Sequence, residues 1–126
     1  MQGPKGTLTG LQLEVMEAIW SRRDGGATVA EIWETLARTR KIARTTALTL
    51  IQRLEARGWL RRNDTQRPAR FSAARSRSES AEQLATEFVD QYFGGSAASL
   101  VMSLLGSKRY NAGDVRNLRK LLDEHK

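Results

Sequence analysis

The sequence predicts a mainly α fold: a winged helix-turn-helix domain over residues 1–75, followed by a C-terminal helical dimerisation domain over 76–126. Three observations carry this reading. Three amphipathic helical stretches come first and are followed by a short, turn-punctuated, Arg-rich stretch of strand character. Helical periodicity then returns and runs to the end. The basic charge is confined to the first part: residues 1–78 hold 15 basic against 7 acidic side chains, and residues 79–126 hold 6 against 7.

Each element has a local reason. Thr9-Gly10-Leu11-Gln12 has capping-box form, since Thr9 can accept from the third helical amide while Gln12 reaches back. Leu13, Val15, Met16, Ile19 and Trp20 then give one apolar face, and Gly25 and Gly26 end the run. Thr28-Val29-Ala30-Glu31 repeats the capping box ahead of a shorter face of Ile32, Trp33, Leu36 and Ala37. A basic connector, "RTRK", leads to the third helix, where Ala47, Leu50, Ile51 and Leu54 share a face by their i, i+3, i+4, i+7 spacing. Gly58 stands where a left-handed C-cap is wanted, with Arg57 beside the negative end of the helix dipole.

The period changes at "WLRRNDTQRPARFSA". Asn63-Asp64 is turn chemistry, and Pro68 excludes a central strand. Two strands are expected, at about 59–62 and 69–72, with an Arg-bearing loop between them. A short strand near 27–29 can pair with this hairpin.

The second half opens on another capping box, Ser76-Arg77-Ser78-Glu79. Ala81, Leu84, Ala85, Phe88, Val89, Tyr92 and Phe93 follow at helical spacing, and Gly94-Gly95 breaks the stripe. Ala97, Leu100, Val101, Leu104 and Leu105 form a second stripe. After Gly106, Asn111 can cap a last helix bearing Val115, Leu118, Leu121 and Leu122.

Composition excludes several function classes. The chain has 126 residues and 40% hydrophobic side chains, enough to bury a core, and no cysteine. Disulfides, thiolate metal sites and cysteine nucleophiles are therefore out. The single histidine, His125, is a tail residue rather than a ligand. No phosphate loop is present, and the carboxylates are scattered over polar helix faces, so no enzyme, cofactor or metal site is expected. No apolar run approaches a membrane span, and no apolar leader is present; a cytoplasmic protein without membrane insertion is expected.

Charge suggests the partner. Residues 38–77 hold 12 basic side chains against 2 acidic ones, and 11 of the 12 are arginine. Arginine forks onto phosphates and base edges, so a polyanion is expected to meet this block. Three helices and a hairpin would lay the third helix, about 44–57, in the major groove of double-stranded DNA. Thr45, Leu48, Thr49 and Gln52 occupy the face opposite its core stripe, and Thr46 lies beside Thr45 near the helix start. Thr45 and Thr46 read equally as cap residues, and Leu48 reads either as a partner for a thymine methyl or as a core contact. Arg44, Arg53, Arg61, Arg62, Arg67 and Arg70 are expected to bracket the groove on phosphates. An RNA-binding or protein-binding module would keep the fold, but Trp20, Trp33, Phe71, Phe88 and Phe93 mostly fall on core stripes, which disfavours base stacking. A repressor released by a small ligand fits the same sequence.

The segments "TGLQLEVMEAIW", "ATVAEIWETLA", "TTALTLIQRLEARGWL" and "FVDQYFGGSAASLVMSLL" follow one another as in the penicillinase-repressor family (BlaI/MecI/CopY), which the chain resembles over residues 8–124. The Thr-Thr-x-x-Thr…Arg-Leu-x-x-x-Gly pattern and the Gly-Gly before an apolar helix are the most specific parts of the match. The resemblance implies a homodimeric repressor whose winged-helix domains bind two half-sites of a palindromic operator. It also implies that the C-terminal helices form the dimer. The residues expected at that interface are Leu84, Phe88, Tyr92, Leu100, Val101, Leu104, Leu105, Leu118, Leu121 and Leu122. The apolar stripes argue for a dimer independently, because under fifty residues make a poor separate core and a second copy supplies the missing partner. In the β-lactam-responsive branch a membrane sensor protease triggers cutting at an Asn-Phe bond. The matching positions here, Ser103 and Leu104, depart from that pair. The copper-responsive branch uses a cysteine cluster, which this chain lacks.

Overall fold

The computed structural model describes residues 3–22 and 26–125. In chain order the elements are α1 (Gly10–Trp20), α2 (Val29–Ala37), α3 (Arg44–Ala56), β1 (Leu60–Asn63), β2 (Arg70–Ala73), α4 (Arg77–Tyr92), α5 (Ala97–Ser107) and α6 (Ala112–Glu124). They fall into two compact units, Met1–Ala81 and Glu82–Lys126.

The first unit is a winged helix. Both expected capping boxes form at its start: Gln12 N donates to Thr9 Oγ1 and Thr9 N to Gln12 Oε1, and Thr28 and Glu31 exchange the same pair. Each box satisfies two helix-end donors that would otherwise lack partners. Val15, Met16 and Ile19 of α1, Ile32 and Leu36 of α2, and Ala47, Ile51 and Leu54 of α3 are buried together with Trp59, Leu60 and Phe71. The three helices thus share one core with the base of the hairpin. Three residues depart from the expected faces. Leu13 is 40% exposed and Ala18 takes a buried place in α1, while Ala37 is exposed at the end of α2. On an eleven-residue helix the apolar stripe drifts, and a small side chain sits at the closest approach while a larger one swings out.

The end of α3 is closed by two reciprocal bonds. Gly58 N donates to Glu55 O at 3.0 Å and Trp59 N to Leu54 O at 2.9 Å. This is a Schellman closure, and Gly58 supplies the left-handed residue it needs, with φ of +83°. The Trp59 amide is spent on that closure, so the first strand starts one residue later than expected, at Leu60. The sheet is antiparallel in the register Leu60↔Ala73, Arg61↔Ser72, Arg62↔Phe71 and Asn63↔Arg70. The strand expected near 27–29 contracts to a single bridge, Ala27↔Phe71, in which Ala27 N donates at 2.9 Å and Phe71 N returns a bond at 2.8 Å.

α1 stops at Trp20 with Ser21 as its C-cap, ahead of the glycine pair. Gly25 lies outside the described residues. Gly26 serves another purpose: a Cβ there would stand 2.1 Å from Phe71 O, and its φ is +73°. The close approach of β2 needs a residue with no side chain. An N-terminal strap is tied to the end of α3. Arg57 Nε donates to Lys5 O at 2.9 Å, its other nitrogens reach Thr7 O and Gln12 Oε1, and Trp59 Nε1 also donates to Lys5 O.

α4 begins in the first unit, where Ser76 and Glu79 form the expected capping box, and continues into the second. Gly94 and Gly95, with φ of +55° and +81°, turn the chain after α4, and Ser96 caps α5. α5 passes through Gly106 and ends at Lys108, which takes a left-handed φ of 58°. Asn111 and Asp114 form a capping box at the start of α6. Among the described residues of this second unit none is fully buried.

Candidate nucleic-acid interface

α3 presents its faces to different surroundings. Ala47, Ile51 and Leu54 are buried, while Arg44, Thr45, Thr46, Leu48, Thr49, Gln52 and Arg53 are exposed. The N-cap is Ala43, without a side-chain cap bond. Thr45 and Thr46 are therefore not cap residues; they lie inside the first turn with their side chains outward. Thr49 Oγ1 donates back to Thr45 O at 3.0 Å, which leaves its methyl as the group turned outward. Thr46 N donates to Ala43 O at 3.1 Å, while the amides of Arg44 and Thr45 have no acceptor within the helix, so this end of α3 offers donors as well as side chains.

The hairpin stands beside this face. Arg61, Arg62 and Arg67 are exposed. Arg62 Nε donates to Asp64 Oδ1 at 2.7 Å, and its guanidinium lies 5.8 Å from the centre of the Phe71 ring. Asp64 holds the Arg62 pKa above its ordinary value through that hydrogen bond and its charge. Asn63 Oδ1 accepts from both Thr65 N and Thr65 Oγ1, which starts the loop as a side-chain-supported turn.

The helix and the hairpin enclose a cleft of about 200 Å³, lined by Arg44, Leu48 and Gln52 of α3, by Thr28, Val29 and Ala30 at the start of α2, and by Arg62, Pro68, Ala69 and Phe71. Leu48, 38% exposed, thus stands at the edge of this cleft rather than in the core. Two sequence signals fall on Thr28–Ala30, the capping box and the short strand expected to pair with the hairpin, and neither places these residues on a cleft beside α3.

Ten of the eleven residues expected at the groove are exposed, and Arg70, half-buried, is the exception. Arg70 Nη2 donates to Gly26 O at 3.0 Å and lies 3.4 Å from Glu31 Oε1. Glu31 also pairs with Arg22 at 3.1 Å. The Glu31 carboxyl is held below its ordinary pKa, first by the Thr28 backbone amide and then by the charges of Arg22 and Arg70.

The residues expected at a dimer interface stand apart from this surface in sequence and lie on α4, α5 and α6. Leu84, Leu100 and Val101 are half-buried, and Phe88, Tyr92, Leu104, Leu105, Leu118, Leu121 and Leu122 are exposed. Phe88 stacks obliquely on Tyr92 at 5.0 Å and on Phe93 at 5.8 Å. Among the described residues no group of three His, Cys, Asp or Glu side chains could hold a metal ion. No helix among them is long and apolar enough to cross a membrane.

Comparison with known proteins agrees with this fold. The chain is similar to the penicillinase repressor of Bacillus licheniformis, with 24% identity over 115 residues that cover 91% of this chain and 88% of the relative. The family model described as penicillinase repressor matches residues 8–124, from the cap of α1 to the end of α6. Helices, wing and C-terminal unit all fall within that match, and the chain belongs to the penicillinase repressor family, whose members are DNA-binding transcriptional regulators.

Proposed function

We propose that the chain is a homodimeric transcriptional repressor that binds a palindromic operator in the cytoplasm. One observation carries the reading: α3 turns Arg44, Thr45, Thr46, Leu48, Thr49, Gln52 and Arg53 outward, beside a hairpin that exposes Arg61, Arg62 and Arg67. An α-helix with short polar side chains near its start fits the major groove, and flanking arginines fit the phosphates on either side. Residues 1–75 form the reading head and residues 76–126 pair two copies.

The support for pairing is exposed apolar surface in the second unit. Tyr92 is 63% exposed, Met102 71% and Leu122 64%, alongside Phe88, Leu104, Leu105, Leu118 and Leu121. Clustered side chains of this kind mark an interaction surface rather than a solvated face. A second copy presents the same stripes with two-fold symmetry, which also matches a palindromic site.

Release completes the proposal. A membrane sensor protease that triggers cutting of α5 near Ser103 and Leu104 separates the two reading heads, and both residues are exposed in the single chain. A monomer then holds one half-site with far lower avidity than the dimer holds two.

The test is fluorescence anisotropy with duplex DNA from upstream of the chain's own gene, against a scrambled duplex. A preference for the upstream duplex with a steep salt dependence supports the reading. Equal, salt-independent binding of both duplexes, or none, overturns it.

A further inference from the structure

Arg70 occupies the last residue pair of the hairpin, opposite Asn63, at the root of the loop that carries Arg67. A basic residue there is expected to reach for phosphate. The structure turns it inward instead, onto Glu31 and Gly26 O. Glu31 is the common point of three elements. Its carboxylate accepts from the Thr28 amide at 2.9 Å at the start of α2, meets Arg22 at 3.1 Å just past the end of α1, and meets Arg70 at 3.4 Å on β2. Arg70 then holds Gly26 O, next to the Ala27–Phe71 bridge. Phe71 lies opposite Arg62 in the register, beneath its guanidinium. A continuous path of contacts therefore runs from Glu31 through β2 to Arg62 of the wing.

We propose that Glu31 is the positioning residue for the wing: with Arg22 and Arg70 it latches β2 to the helix-turn-helix, so that Arg62 and Arg67 stand at a fixed distance from α3. Arg70 serves as the latch arm and not as a phosphate contact. The proposal rests on the wing-on-backbone reading given above, and it names residues that act on DNA only through others. A latch of this kind acts where the core does not reach, since Leu60 and Phe71 anchor the base of the hairpin while residues 61–68 are exposed. The hairpin is only four residues deep on each strand, and a single bridge joins it to residue 27. A two-stranded hairpin is marginal by itself. Wing arginines on a hinged hairpin would lose part of their binding energy to the cost of ordering.

The experiment uses the full chain with Glu31→Gln, Arg70→Ala, Arg67→Ala and their pairwise combinations. Glutamine keeps the capping box at the start of α2, so the helix is retained while the charge at the latch is lost. Two measurements are made. The first is affinity and salt slope on the upstream duplex. The second, free of DNA, is hydrogen exchange at the Ala27 and Phe71 amides, compared with amides inside α1 and α3.

The latch predicts that Glu31→Gln and Arg70→Ala each weaken binding on the order of tenfold, the size expected for loss of one coupling element. Their combination should weaken it no further than Arg70→Ala alone, because both remove one device. Arg67→Ala should matter much less in the Glu31→Gln background than in wild type. Exchange should quicken at Ala27 and Phe71 and stay unchanged within α1 and α3, whereas a merely destabilising substitution quickens all of them together. Unchanged affinity in Glu31→Gln overturns the proposal, as does full additivity with Arg70→Ala. If wild type binds no duplex, the functional reading fails, and the exchange measurement alone decides whether Glu31 positions the hairpin.

Discussion

Arg62 and Asp64 form an ion pair at 2.7 Å on the surface where the wing is proposed to meet phosphate. Both side chains are substantially exposed, 47% and 68%, so the pair adds little to stability. Its effect falls on binding, because the carboxylate competes with phosphate for the guanidinium and repels the DNA backbone. Asp64→Asn is expected to tighten binding by about threefold to tenfold and to steepen the salt dependence. Anisotropy titrations at two salt concentrations check this. Weaker binding in the variant would mean that Asp64 orients Arg62 rather than masks it.

Reading of bases separates from holding of phosphates. Thr46→Ala and Leu48→Ala are expected to cost about 1–3 kcal/mol on the cognate duplex and little on random DNA. Arg67→Ala should weaken both duplexes alike and lower the salt slope by about one unit. Competition titrations on both DNAs distinguish the two patterns. Equal losses for the α3 variants on both DNAs would show that the helix does not read sequence.

Leu104→Asp places a charge on the apolar stripe of α5, where Leu104 is 47% exposed in the single chain. If two copies pair there, burying that charge is prohibitive and the dimer separates. Light scattering should give a dimer for wild type at micromolar concentration and a monomer for the variant. A monomeric wild type would contradict the pairing, and an unaffected variant would move the interface off α5.

Acid sensitivity follows from two carboxylates. Glu31 is held below its ordinary pKa, first by the Thr28 amide, and Glu79 likewise by the Ser76 amide. A group depressed in the folded state contributes fully above its unfolded pKa and loses that contribution as pH falls through the folded one. Melting temperature should therefore hold steady at neutral pH and decline below the ordinary carboxylate range. Thermal melts of Glu31→Gln should show a shallower acid decline than wild type. An identical acid limb would remove Glu31 from the account.

Two glycines with similar backbone angles should respond differently to alanine. Gly58 has open space around it, with Pro4 Cα at 3.7 Å as the nearest atom, so Gly58→Ala carries only the left-handed strain of about 1–2 kcal/mol. Gly26→Ala adds a clash with Phe71 O and should cost several times more, seen as a larger drop in denaturant midpoint. Equal midpoints would mean that β2 shifts freely.

What was legible in the sequence was local. The capping boxes at Thr9, Thr28, Ser76 and Asn111 each form, because both partners lie within one helical turn. The core stripe of α3 and the cap at Gly58 follow from spacing and from the backbone freedom of glycine. What stayed hidden depends on tertiary neighbours. Nothing near Arg70 in the chain announces Glu31, and the exposure of Leu13 depends on where α1 meets its neighbours. The outward face of α3 was readable as a face. That the start of α2 lines the same cleft was only half readable, since the strand expected near 27–29 set it beside the hairpin but not beside α3.

The pairing of Ala27 with Phe71 also orders events during synthesis. Helices α1 to α3 are synthesised before the strand that completes their core, so Ala27 has no bridge partner until residue 71 has been added. A chain cut short before Phe71 cannot close this junction or bury that ring in the core. The position of one strand in the chain thus sets how short a fragment can be and still close this core.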